Sequence, residues 1–145
     1  MNPIDIIPHK KPMVLIDQVV SVEGLQILAV FTITPNSLFQ DENGNVPSWI
    51  GIEYMAQTIA AFAGFNHKHN NEPIKLGFLL GARTYEAFVD CFLQGKSYLV
   101  EATQLFLDSG LGSFDCQIKD KLTNDICCSA KVNVYESDDI NNLKI

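Results

Sequence analysis

The run Val46-Pro47-Ser48-Trp49-Ile50-Gly51-Ile52-Glu53-Tyr54-Met55-Ala56-Gln57-Thr58-Ile59-Ala60-Ala61-Phe62-Ala63-Gly64 decides how the chain is read. Pro47-Ser48 breaks the preceding chain and offers a side-chain oxygen to cap the first free N–H groups of a helix. Gly64, with polar Asn66 to Asn71 beyond it, reads as the C-terminal stop. Between them apolar side chains fall on every face, the pattern of a buried helix. Ala56, Ala60, Ala61 and Ala63 are small enough for another element to pack against the backbone. Glu53 and Gln57 interrupt the run early, which argues against a membrane span of about 20 apolar residues. Glu53 is therefore expected as a carboxylate in the second turn of a buried helix, with Gln57 at i+4 on the same face. Burying an unpaired carboxylate is costly, or its pKa rises until it is neutral. Either outcome suits acid–base chemistry, whereas a Glu53 that reaches solvent or pairs with a basic residue only orients the helix.

Working outward, Met13 to Val22 and Leu25 to Thr34 are β-rich and are separated by Glu23-Gly24, so they are expected as a hairpin. Pro35 to Gly44 is a polar loop. Beyond Pro73, strands are expected at Lys75 to Phe88, Ser97 to Leu107, Leu111 to Lys119 and Asp125 to Tyr135, with turns at Gln94-Gly95, Asp108-Ser109-Gly110 and Lys121 to Asn124. Gly77 and Gly81 mark expected bulges. Two strands, one long apolar helix and about four more strands make an α+β domain, 1–136, in which an antiparallel sheet curls around one helix. Residues 137–145 read as a polar tail. One sheet cannot cover every side of the helix, and its edges stay open, so a dimer is expected.

The net charge of −7 argues against a general nucleic-acid binder, which needs a basic footprint. An acidic partner has to use a local basic patch, with His9-Lys10-Lys11 and Lys68 as candidates. The N-terminus lacks the basic and apolar regions of a signal peptide, and no membrane span appears. Cys91, Cys116, Cys127 and Cys128 have neither zinc-site nor disulfide spacing, so a reduced, cytoplasmic protein without metal or other cofactor is expected.

Two motifs carry a family resemblance. Pro8-His9-Lys10-Lys11-Pro12-Met13-Val14-Leu15-Ile16-Asp17 resembles the opening of the hotdog-fold 3-hydroxyacyl-ACP dehydratases, Pro-His-x-x-Pro followed by apolar residues and Asp. Pro47-Ser48-Trp49-Ile50-Gly51-Ile52-Glu53-Tyr54-Met55-Ala56-Gln57 resembles their Pro-Gly-x-x-x-x-acid-x-Met-x-Gln segment. Order and spacing agree over most of the chain. Within that group the chain most resembles the dehydratase-like proteins of bacterial aryl-polyene pigment clusters. The resemblance implies a hotdog fold, an acyl thioester carried by acyl carrier protein, and an active site shared by two subunits, in a homodimer or in a heteromer with another hotdog subunit. Glu53 matches the catalytic acid that protonates the departing β-hydroxyl. Ser48 matches the glycine whose backbone N–H polarises the thioester carbonyl. Gly51 matches a close-packing position, and Gln57 a residue that hydrogen-bonds near the acid.

One departure stands out. The family places a catalytic histidine, the base that removes the α-proton, in a His-Phe-Pro-Gly loop ahead of the acid. Here Phe39-Gln40-Asp41-Glu42-Asn43-Gly44-Asn45-Val46 occupies that loop, which is shorter and holds no histidine. His9 is the first candidate for the base, though relatives that keep the loop histidine also carry a histidine in its motif. Glu42 is the second, and a partner chain or loss of the activity are the others. His67 and His69 read as surface residues. Three functions compete: dehydration of 3-hydroxyacyl thioesters, hydrolysis of acyl thioesters from the same acid and helix terminus, and non-catalytic binding of acyl chains.

Overall fold

A computed structural model of the chain describes residues 1–7, 13–72 and 76–137, the side chains of 76–80 and 137 excepted. The expectations for His9, for the basic patch His9-Lys10-Lys11 and for the polar tail from residue 138 on lie outside the described residues, while Ser137, expected in the tail, ends a strand. A 3₁₀ turn, Pro3–Asp5, leads to β1 (Gln18–Glu23) and β2 (Gln26–Thr32). A two-residue strand, β3 (Val46–Pro47), and a 3₁₀ turn at Ser48–Ile50 run into α1 (Gly51–His69). Then follow β4 (Leu76–Ala87), β5 (Cys91–Phe92), β6 (Ser97–Asp108), β7 (Leu111–Asp120) and β8 (Ile126–Ser137). Six strands make one sheet in the order β1-β2-β6-β7-β8-β4, every pairing antiparallel, and β3 pairs with β5 apart from it. The helix lies on one face of the sheet, which is the hotdog arrangement.

Side chains alternate across each strand, so one face supplies the core. Ile27, Ala29 and Phe31 of β2, Tyr98, Val100 and Ala102 of β6, and Phe114, Cys116 and Ile118 of β7 are all buried. The helix buries Tyr54, Met55, Ile59 and Phe62 against them. Each such side chain contributes roughly 1.5–3 kcal/mol of transfer free energy. The ring of Tyr54 stacks on Phe31 with centroids 3.8 Å apart, and Phe92 meets the pair edge-on. At the other half of α1, Phe62 meets Phe114 edge-on at 5.9 Å. Rings at both ends therefore set the rotation of α1 about its axis.

Four local expectations are corrected. β1 begins at Gln18 instead of Met13, because Gln57 draws the preceding segment off the sheet: its amide donates to the Met13 carbonyl at 2.5 Å and its oxygen accepts the Leu15 N–H at 2.8 Å. Ser48 supplies no side-chain cap; a 3₁₀ turn precedes α1 instead. Gly64 is not the stop, since α1 continues to His69. Its lack of a side chain serves packing, because a Cβ there would collide with the Ile6 carbonyl. Finally, Gly77 pairs in register with Glu136, and the irregularities of β4 fall at Leu79/Gly81 and Arg83/Glu86. The β3–β5 pair has too few residues to show a period and was not foreseeable from pattern. All four cysteines are free thiols.

Candidate active site

The start of α1 is held from two sides. Val46 pairs with Phe92 and Pro47 with Cys91, which brings the β4–β5 connection alongside Ser48. The Ser48 N–H donates to the Asp90 carbonyl at 3.0 Å. The Ser48 carbonyl accepts the Gly51 N–H and the Tyr85 hydroxyl. The expectation of a free Ser48 N–H for a substrate oxygen is thus corrected: that donor is occupied. The next one, the Trp49 N–H, has no acceptor among the described residues, and Trp49 is 67% exposed. Gly51 is indeed a close-packing position, for a Cβ there would collide with the Tyr85 hydroxyl. Nothing in the sequence links Tyr85 to Gly51; only the fold of β4 beside the helix start does.

Glu53 is exposed within the single chain, which corrects the expectation of a buried acid. Residues along a helix advance by about 100° each, so Glu53 shares a stripe with Ile52, Ala56, Ala60, Ala63 and His67. None of these is fully buried, whereas Tyr54, Met55, Gln57, Thr58, Ile59, Ala61, Phe62 and Gly64 are. The helix is apolar all round, but one sheet reaches only part of its circumference. On one flank of the stripe the chain ahead of β1 crosses the helix, touching it at Gly64 through Ile6 and at Gln57 through Met13 and Leu15. On the other flank lies an apolar cavity of about 80 Å³ walled by Ile59, Phe62, Leu107, Phe114 and Val134. Glu53 is the one acid in α1.

Gln57 sits one turn beyond Glu53, and its amide holds the Met13 carbonyl and the Leu15 N–H. Glu42 is exposed. Its neighbour Asp41 organises the loop, accepting the N–H groups of Asn43 and Asn45 at 2.9 and 3.0 Å. The surface reading of His67 is corrected as well. It is largely buried, with Nδ1 3.1 Å from Glu72 and Nε2 in contact with Glu136, and it ties the end of α1 to β8. No group of three or more metal-ligating side chains occurs among the described residues. No described helix is long and apolar enough to cross a membrane.

The family model ApeP-like, described as ApeP dehydratase, matches residues 1–144. No curated protein matches. Among solved structures, the dehydratase heterocomplex ApeI:P from Xenorhabdus doucetiae contains a chain 30% identical, with TM-score 0.90, covering 94% of this chain and 91% of that one. The smu.793 protein of Streptococcus mutans, bound to acetyl CoA, superimposes with TM-score 0.65 at 11% identity, over 90% of this chain and 95% of that one. The Escherichia coli PaaI protein from the phenylacetic acid degradation operon gives 0.60 at 9% identity, over 81% of each chain. The last two establish the hotdog fold alone. The match to the family model over nearly every residue, together with the heterocomplex chain, places this protein in the ApeP-like dehydratase family.

Proposed function

We propose that the protein dehydrates 3-hydroxyacyl thioesters on acyl carrier protein to 2-enoyl thioesters, in the cytoplasm, during assembly of an aryl-polyene chain. The observation that carries this is the sole acid of α1 standing on the open stripe, one turn from a backbone N–H without an acceptor among the described residues. A base removes the proton on Cα, and negative charge moves onto the thioester oxygen. A backbone donor at the helix start, aided by the helix dipole, stabilises that oxygen. Glu53 gives its proton to the β-hydroxyl, which leaves as water while the Cα–Cβ double bond forms. His9 is the proposed base. The tie of Met13 and Leu15 to Gln57 supports it, because the segment that follows the Pro-His-x-x-Pro motif is held one turn from Glu53.

The assembly is proposed to include a second hotdog subunit. The exposed stripe and β4, an edge of the sheet without a further strand beside it among the described residues, support this, as does the pairing of the Xenorhabdus relative in a heterocomplex. A partner over the stripe desolvates Glu53 and supplies the other wall for the acyl chain. The proposed carrier contact is the basic patch around Lys68, at the end of α1.

The test is Glu53→Gln in the assembled protein, with a 3-hydroxyacyl carrier thioester as substrate and the enoyl product read by mass spectrometry. Loss of general acid catalysis costs about 10²- to 10⁴-fold. Enoyl product at the wild-type rate would remove Glu53 from the mechanism. The loop without a histidine favours a second reading, thioester hydrolysis; its marker is free thiol released from a saturated acyl thioester.

A further inference from the structure

We propose that Tyr85 is a positioning residue for the thioester carbonyl: its hydroxyl holds the Ser48–Trp49 peptide so that the Trp49 N–H faces the reacting oxygen. The proposal rests on the reading of the helix start as a thioester site. A trans peptide is planar, and its C=O and N–H point in opposite directions. The Ser48 carbonyl is held by the Tyr85 hydroxyl and the Gly51 N–H, so the Trp49 N–H must point the other way, away from Tyr85. That N–H has no acceptor among the described residues. The peptide on the other side of Ser48 is pinned as well, by its N–H on the Asp90 carbonyl at 3.0 Å. Both peptide planes around Ser48 are therefore set before any ligand arrives, which is what an oxyanion donor needs if it is not to reorganise during the reaction.

Tyr85 is built for a constant donor role. Burial pushes its phenol far above the ordinary tyrosine range, so the hydroxyl keeps its proton at any physiological pH. Cys128 Sγ lies 3.4 Å from the same oxygen. Burial pushes that thiol up to about 11, so it stays neutral, and its sulfur is a second, weaker acceptor for the hydroxyl beside the Ser48 carbonyl. Gly51 completes the fit, since a Cβ at that position would meet the Tyr85 hydroxyl while Ile118 Cδ1 and Phe92 Cζ stay at 3.3 and 3.4 Å. The small residue at 51 is thus the space in which the hydroxyl sits.

Tyr85→Phe keeps the ring and removes the hydroxyl. In the assembled protein it should lower kcat about tenfold or more, as loss of a fixed oxyanion donor does, with little change in KM or Tm. The decisive readout is the infrared carbonyl stretch of bound butyryl-pantetheine labelled with ¹³C at the carbonyl, a thioester with no hydroxyl to eliminate. Wild type should shift this band to lower frequency, and Tyr85→Phe should return it toward the solution value. Gly51→Ala should mimic Tyr85→Phe by displacing the hydroxyl, and the double variant should be no worse than either single one. An unchanged band and kcat in Tyr85→Phe overturns the proposal. So does a lower Tm with the band unmoved, which marks a merely structural bond. A probe that fails to bind wild type removes the thioester site and this proposal with it. A probe that binds with a shifted band, in a wild type that forms no enoyl product, removes dehydration alone and leaves the role of Tyr85 standing.

Discussion

Asp120 shows how a single side chain here depends on partners that no local pattern names. Its carboxylate accepts Lys96 Nζ at 2.9 Å and the N–H groups of Leu122 and Thr123 at 2.9 and 3.3 Å. The lysine first, and then the Leu122 N–H, hold its pKa below the ordinary carboxylate value. A pKa lowered by folding stabilises the native state above the unfolded value, and that contribution is lost as pH falls through the folded value. Asp120→Asn should therefore have a lower Tm than wild type at pH 7. The gap should close as pH drops below about 4, as followed by circular dichroism. A gap that does not narrow at all between pH 5 and pH 2.5 would assign the loss to packing instead of charge. The candidate site obeys the same lesson. Ser48 lies just ahead of α1 and Glu53 and Gln57 lie on it, but the Asp90 carbonyl, the open stripe and the Met13–Leu15 segment determine what each can do.

Within the helix, Gly64 is the position where element-level rules and tertiary contact disagree in sign. Replacing a mid-helix glycine by alanine ordinarily stabilises by about 0.8–1 kcal/mol. Here the added methyl would run into the Ile6 carbonyl, which is backbone and cannot rotate aside. Gly64→Ala should instead destabilise by about 1–3 kcal/mol, the range for overpacking, measured by urea unfolding. A stabilised variant would show that the N-terminal segment does not rest on α1. The same crossing explains why Gly64 looked like a stop. A glycine forced by close approach and a glycine forced by a positive φ are indistinguishable in one sequence. The strands were legible because long alternating stretches have a period, as in β6, β7 and β8, whereas the two-residue pair β3–β5 has none.

At the scale of the molecule, the sheet ends at β1 and β4, and among the described residues the outer side of β4 and the stripe of α1 through Glu53, Ala56 and Ala60 stand open. An edge strand and an apolar stripe left open are costs that assembly removes. Ala60→Arg places a long cation on the stripe without touching the buried faces of α1. It should leave Tm of the subunit nearly unchanged while lowering the mass of the assembly, read by light scattering after gel filtration. An unchanged mass would show that the stripe is not an interface. The loop without a histidine belongs to this scale too, since an assembly of unlike subunits can divide acid and base between chains.

The sequence by itself determined the fold class and the place of the helix. Those follow from hydrophobic period, from turn residues and from motif spacing, all of which are written locally. Tertiary structure alone decided that the Ser48 N–H is occupied while the Trp49 N–H has no acceptor among the described residues, that Gln57 clamps the chain, and that Tyr85 and His67 have partners far along the sequence. Hydrogen bonds and steric contact fall off within a few ångströms, and which distant residues come that close is settled only when the sheet closes on the helix.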